Sequence, residues 1–215
     1  MRLAVFIFLL LTTSCREIIY VDEVEKISGY QINGFVTNTG GTPLENVEIN
    51  LYYEKIKIIN IPIDTVQAAV KDSNSIVSFV VVDVNGRAVK NLFTGKLPVG
   101  PIPRVTWDGY ISPDIKAQPG YYVIQISIDN IIIKESPVII DGSLVAKTDR
   151  QGSFVILNEK LPVGKIFDRY DSPNKYLGTY SVATSVILEL FYGSIKKTGR
   201  VNLKKDIVTK VNITI

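Results

Sequence analysis

The chain has 215 residues, 46% hydrophobic side chains, 24 Lys and Arg against 21 Asp and Glu, and no histidine. That length holds one large or two small domains, and the missing histidine excludes Ser-His-Asp and Cys-His nucleophile systems and histidine-bound metals. The formal charge of +3 is weak, and its densest basic points, Lys196-Lys197 and Lys204-Lys205, lack the clustering of a nucleic-acid footprint, so no nucleic-acid partner is expected.

The first segment in chain order reads as a targeting sequence. Arg2 gives a positive start, Leu3 to Leu11 form an apolar run, and Thr12, Thr13 and Ser14 lead into Cys15, the only cysteine. The run falls well short of the roughly 20 residues that cross a bilayer as a helix, but it suits a signal-peptide core. The pattern resembles a bacterial lipoprotein signal with its lipobox; Leu11 stands one residue before the usual leucine place, which Thr12 occupies. The resemblance implies that residues 1–14 are cleaved and that Cys15 is acylated, tethering the protein to a membrane outside the cytoplasm. Two or more chains, at about 0.8 kcal/mol per buried CH2, make such an anchor stable. Arg16 follows the cysteine, rather than the Asp that retains lipoproteins at the inner membrane in enteric bacteria. The expected location is therefore the bacterial cell envelope, at the outer membrane, with the periplasmic or surface face left open. Residues 15–29 read as the lipidated N-terminus and a tether.

Beyond the tether the pattern is β throughout. Period-two alternation and β-branched residues recur at "YQINGFVTN" (30–38), "NVEINLYY" (46–53), "SIVSFVVVD" (75–83), "GYYVIQISID" (120–129), "GSFVIL" (152–157), "SVILELFY" (185–192) and "IVTKVNITI" (207–215), with Gly, Asn, Asp and Pro between them. "DTVQAAVKD" (64–72) is the one helix-like stretch, and the flanking strands compete for it. "VNGR" (84–87) predicts a tight hairpin of type I′. Trp107, the only tryptophan, lies on an alternating run and is expected in the core. Asp108-Gly109 predicts a turn in which the carboxylate accepts backbone amides. Tyr121 and Tyr122 fall on opposite faces of one strand.

Two stretches resemble known modules. In "INGFVTNTGGTPLENVEINLY" (32–52), Gly34, Val36, Gly41, Pro43, Leu44, Val47 and Ile49 keep the register of the carboxypeptidase regulatory-like domain, a transthyretin-like sandwich. Its companion "T-D-x-x-G-x-F" hairpin occurs at Thr148, Asp149, Gly152 and Phe154, about a hundred residues on instead of soon after. Between them, Asp83, Gly86, Val89, Leu92, Gly100, Trp107, Asp108, Gly109, Pro119, Gly120, Tyr121 and Tyr122 follow the pattern of the immunoglobulin-like domain of flagellar hook-capping proteins. Together the resemblances imply an all-β protein of two small antiparallel β-sandwiches, one inserted in the other. The transthyretin-like sandwich would occupy 30–60 and 141–215 and the immunoglobulin-like domain 65–140; two sequential sandwiches are the alternative.

Little in the chain suggests chemistry. "GKLPVG" (95–100) lacks the following Ser or Thr and helix of a phosphate loop. The aspartates sit mostly at strand ends and turns, and none forms the alternating acidic loop of an EF-hand. The zinc and catalytic residues of the carboxypeptidases that name the first family belong to a separate domain, so no activity carries over. No catalytic residue, metal or cofactor is expected. "FDRYDSPNKYLGTYS" (167–181) reads as a long polar loop whose Tyr170, Asn174, Tyr176 and Tyr180 form a candidate interaction surface. The expected function is that of a lipid-anchored, non-enzymatic envelope protein: a scaffold, adhesion or assembly module with an envelope protein as partner. The alternative is a glycan- or peptide-binding module of a surface or uptake complex.

Overall fold

The computed structural model describes residues 26–65, 67–172 and 175–215. The leader, Cys15, most of the tether and Asn174 lie outside the described residues. The rest is all-β, in several mostly antiparallel sheets.

Strands from the two ends of the described chain pair with one another. β1 (Tyr30–Thr37) lies between β12 (Ser153–Ile156), antiparallel, and β16 (Ile207–Thr214), parallel. A second sheet is built on two long partners, β2 (Glu48–Ile59) and the 18-residue β14 (Lys175–Tyr192). β11 (Ser143–Lys147) lines the far side of β2, while β13 (Ile166–Ser172) and β15 (Ile195–Asn202) divide the far side of β14. Alternation explains the packing: Ile32 and Val36 of β1, Ile49 and Leu51 of β2, and Val186 and Leu188 of β14 are all fully buried in one continuous apolar cluster.

The strands between them form an inner group whose pairings are all internal. β4 (Val77–Val82), β5 (Ala88–Gly95), β9 (Gly120–Ile128) and β10 (Ile131–Ile140) make a sheet in the order β10-β9-β4-β5. The short strands β3 (Ala69–Val70) with β6 (Gly100–Pro101), and β7 (Tyr110–Ser112) with β8 (Ile115–Lys116), complete the group. Its apolar interior is split in two, one cluster holding Val81, Trp107, Tyr122 and Ile124, the other Val70, Val77, Phe79, Ile102 and Ile126. Trp107 is in the core as expected, edge-on to Tyr122 at 5.2 Å, with its Nε1 donating to the Tyr110 carbonyl at 3.0 Å. Tyr122 is buried and Tyr121 half-buried, on opposite faces of β9. Asp108 Oδ1 accepts the Tyr110 amide at 2.9 Å.

One five-residue turn occurs three times, beginning at Asn38, Asp83 and Asp149. In each, the side-chain Oδ1 accepts the amides two and four residues on, at 2.8–2.9 Å. The backbone carbonyl of the first residue also accepts the amide of a glycine three residues on, which has positive φ: Gly41 (81°), Gly86 (75°) and Gly152 (74°). This local side-chain bonding is what Asn and Asp supply in turns. It corrects the expectation for "VNGR": type I′ needs positive φ at both central residues, and Asn85 does not have it. The double left-handed pair is instead Asp129 (49°) and Asn130 (67°), between β9 and β10.

Two further expectations change. The helix-like stretch 64–72 holds no helix among its described residues, and its Ala69-Val70 is strand β3. "FDRYDSPNKYLGTYS" is no long loop, since Phe167 pairs with Tyr180 and Tyr170 with Tyr176 along β13 and β14. Its consecutive polar residues Asp168 to Asp171 are half-buried or exposed, and so resemble loop composition.

The two motifs separated by a hundred residues meet. The buried Thr148 hydroxyl donates to the Leu44 carbonyl at 2.6 Å and accepts the Val47 amide at 2.9 Å. Nearby, the Val36 amide donates to the Gly152 carbonyl at 2.8 Å.

Candidate functional site

A cleft of about 310 Å³ opens where the inner group faces the outer one, between β10, the segment Arg104–Asp108 and β13. Two aspartates hold its walls together. Asp64, just beyond β2, takes Lys134 Nζ at 2.8 Å and the Ser136 hydroxyl at 2.8 Å from β10, and stands 3.8 Å from Arg104 Nη1. Asp168 of β13 accepts the amides of Asp64 at 3.0 Å and Ile63 at 3.2 Å, and the buried Thr179 hydroxyl donates to it. Thr179 Oγ1 also lies 3.0 Å from the Ile61 carbonyl oxygen and 2.8 Å from the Tyr176 hydroxyl. The carboxylates thus tie the chain leaving β2 to both strand groups.

One candidate tyrosine, Tyr170, joins Trp107 and Phe167 in the aromatic lining of the cleft. Arg104 Cζ sits 4.1 Å above the Tyr170 ring, a cation–π distance, and the Tyr170 and Tyr176 rings are 5.3 Å apart. The Tyr170 hydroxyl is enclosed and has no hydrogen-bond partner among the described residues. Burial pushes its pKa up, opposed in part by the Arg104 charge, so it stays a neutral phenol. Tyr180 does not join this wall: it stacks on Phe167 at 6.1 Å, with Arg169 6.0 Å away. Tyr170 and Tyr176 are therefore brought together, Tyr180 packs apart from them, and Asn174 is not described.

At the opposite end Asp141 pairs with Lys55 at 2.6 Å and accepts the Tyr53 amide at 3.2 Å. Lys116 Nζ donates to the Asp141 carbonyl at 2.7 Å. Tyr53 is buried and donates to the Lys160 carbonyl at 2.7 Å; burial raises its pKa far above the ordinary phenol range. No group of three or more His, Cys, Asp or Glu residues that could hold a metal ion occurs among the described residues.

Asp64, Arg104, Lys134 and Asp168 escape a reading of the sequence because their contacts span 104 positions for Asp64 with Asp168. None stands in a motif. The one available signal was the high tyrosine content of 167–181. No protein-family model, no curated protein and no solved structure matches the chain.

Proposed function

We propose that the chain is a lipid-anchored envelope protein in which one β-sandwich (65–140) is carried inside another (30–60 and 141–215), and that it works as a non-enzymatic scaffold or assembly module. The single observation that carries the anchor is the apolar leader ending at Cys15. The nested arrangement draws support from the pairing of β1 and β2 with β11, β12, β14 and β16, and from the hydrogen bonds between Thr148 and the 44–47 stretch. Domain insertion is tolerated where the ends of the insert lie close together at a surface. In the cleft, the carboxylates of Asp64, Asp141 and Asp168 are each engaged by cations, amides or hydroxyls. That arrangement suits a joint that fixes two modules better than it suits a reaction centre.

A second reading is favoured by one feature, the unpartnered Tyr170 hydroxyl beside Arg104. A glycan or peptide entering the cleft would lie against the Tyr170 ring and Arg104, which line it, and would bond to that hydroxyl only after displacing what encloses it.

Intact-mass measurement of the protein purified from its own membrane, together with cross-linking on whole cells, tests the main reading. An added diacyl or triacyl mass on Cys15 and a stoichiometric envelope partner are expected. An unmodified chain released by a mild salt wash would overturn the anchor. Specific retention on a glycan or peptide array that Tyr170→Ala abolishes would replace the scaffold with the second reading.

A further inference from the structure

We propose that the cleft between β10 and β13 receives a short extended peptide and holds a carboxylate of that peptide on Arg104. The inference rests on the second reading above, that the cleft admits a ligand, and names the group that is recognised.

Arg104 is the polar group of the cleft that the fold leaves unsatisfied. It stands in the lining with its side chain 30% exposed. The Tyr170 ring lies 4.1 Å from the guanidinium carbon and sets the plane of the fork. The one ion pair of Arg104 among the described residues is the contact to Asp64 at 3.8 Å, too long for a hydrogen bond. None of its N–H groups is hydrogen-bonded among the described residues. A guanidinium keeps its charge and presents five donors in a planar fork that matches a carboxylate. A fork already held against a ring loses little freedom when that carboxylate arrives.

The acids of the lining are engaged elsewhere. Asp64 holds Lys134 and the Ser136 hydroxyl, and Asp141 holds Lys55 and the Tyr53 amide. Asp168 accepts two amides and the Thr179 hydroxyl, and Asp108 accepts the Tyr110 amide. Two more cations of the lining, Lys116 and Arg169, form no ion pair among the described residues. Counting Lys134 behind Asp64, the cleft sets five cations against four aspartates. Its complement is an anion.

The walls select a peptide over a sugar. β10 contributes Ser136 to Ile140 and β13 contributes Phe167 to Tyr170. Each is an edge strand, paired on one side only among the described residues. Unpaired strand edges offer backbone donors and acceptors at the spacing of an extended chain. A sugar needs a free aromatic face, and Arg104 already covers one face of Tyr170. At about 310 Å³ the cleft is at the small end of ligand pockets, about 300–1,000 Å³, so it takes only a few residues.

Peptide arrays probed with the full-length protein in detergent test the assignment. Randomised hexapeptides are displayed in three sets: with a free C-terminal carboxylate, amidated with an internal Asp or Glu, and amidated with no acid. Retention is expected on the first or second set and not on the third. Which of the two is retained tells whether the carboxylate is a chain end or a side chain. For retained peptides, Arg104→Gln should weaken binding at least about tenfold. Arg104→Lys keeps the charge without the fork and should fall in between; it decides the matter if Arg104→Gln does not fold. Lys204→Gln removes an equal charge outside the cleft and should change nothing. Equal retention on all three sets, or unweakened binding to Arg104→Gln, would overturn the assignment and leave a peptide cleft of another chemistry. Failure to retain any peptide would also overturn it; glycan retention would then keep the second reading, and its absence would end both.

Discussion

The turn at Asp149, in the outer strand group, lies against a hairpin a hundred residues earlier, and the buried hydroxyl of Thr148 joins the two. The same turn at Asp83, in the inner group, closes only its own strands, β4 and β5. The outer group has one continuous apolar cluster assembled from both ends of the described chain, whereas the inner group has two small clusters drawn from neighbouring strands. One turn sequence therefore serves two kinds of contact. In the inner group local hairpins suffice; in the outer group the core forms only after the intervening chain has been looped out, which is entropically slower.

The comparison can be broken most strongly at Trp107. Trp107→Ala should cost about 3–5 kcal/mol and abolish amide protection in 69–140 while β1, β2 and β14 remain protected. Simultaneous loss in both groups would mean that they unfold as one unit. The next largest contrast pairs two glycines of the repeated turn. Gly86→Ala meets open space and should cost roughly 1–2 kcal/mol, the strain of a left-handed backbone. Gly152→Ala adds a Cβ only 2.5 Å from the Val36 carbonyl oxygen, so its urea midpoint should fall well below that of Gly86→Ala. Equal midpoints would show that the docking of the two hairpins is unimportant. Thr148→Val keeps the shape but leaves the Leu44 carbonyl and Val47 amide unpaired, a loss of about 1–3 kcal/mol that equilibrium unfolding would register.

The smallest effect concerns pH. The Asp129 carboxylate accepts the Ile76 amide at 2.8 Å, and that bond, followed by one from the Ser75 side chain, holds its pKa below the ordinary value. Its contribution is complete above about pH 4, the unfolded value, and is lost as pH falls through the lower folded value. Asp129→Asn, which tolerates the same left-handed backbone, should leave the melting temperature near pH 7 almost unchanged and flatten its decline below pH 4. An unchanged acid limb would remove Asp129 from that decline.

Alternation carried most of the strand positions because one face of each strand is apolar. Trp107 and the Tyr121-Tyr122 pair were legible for the same reason. Turn type was less so: Asn85-Gly86 has the composition of a type I′ turn, but Asp83, two residues earlier, captures the amides and selects another geometry. The hairpin at 167–181 was hidden by polar side chains on a half-exposed face. The cleft itself was illegible apart from Tyr170, since Asp64 and Asp168 become neighbours only when β2 and β14 align.

The parallel pairing of β1 and β16 has a mechanical consequence. Tyr30 stands beside Ile207 and Thr37 beside Thr214, so tension applied between residue 30 and residue 214 pulls the two strands lengthwise past each other. Every backbone hydrogen bond along the pair then resists at once, instead of opening one after another like a zip. The strands of 69–140 lie off that line of force and would feel no load until the β1–β16 clamp had slipped.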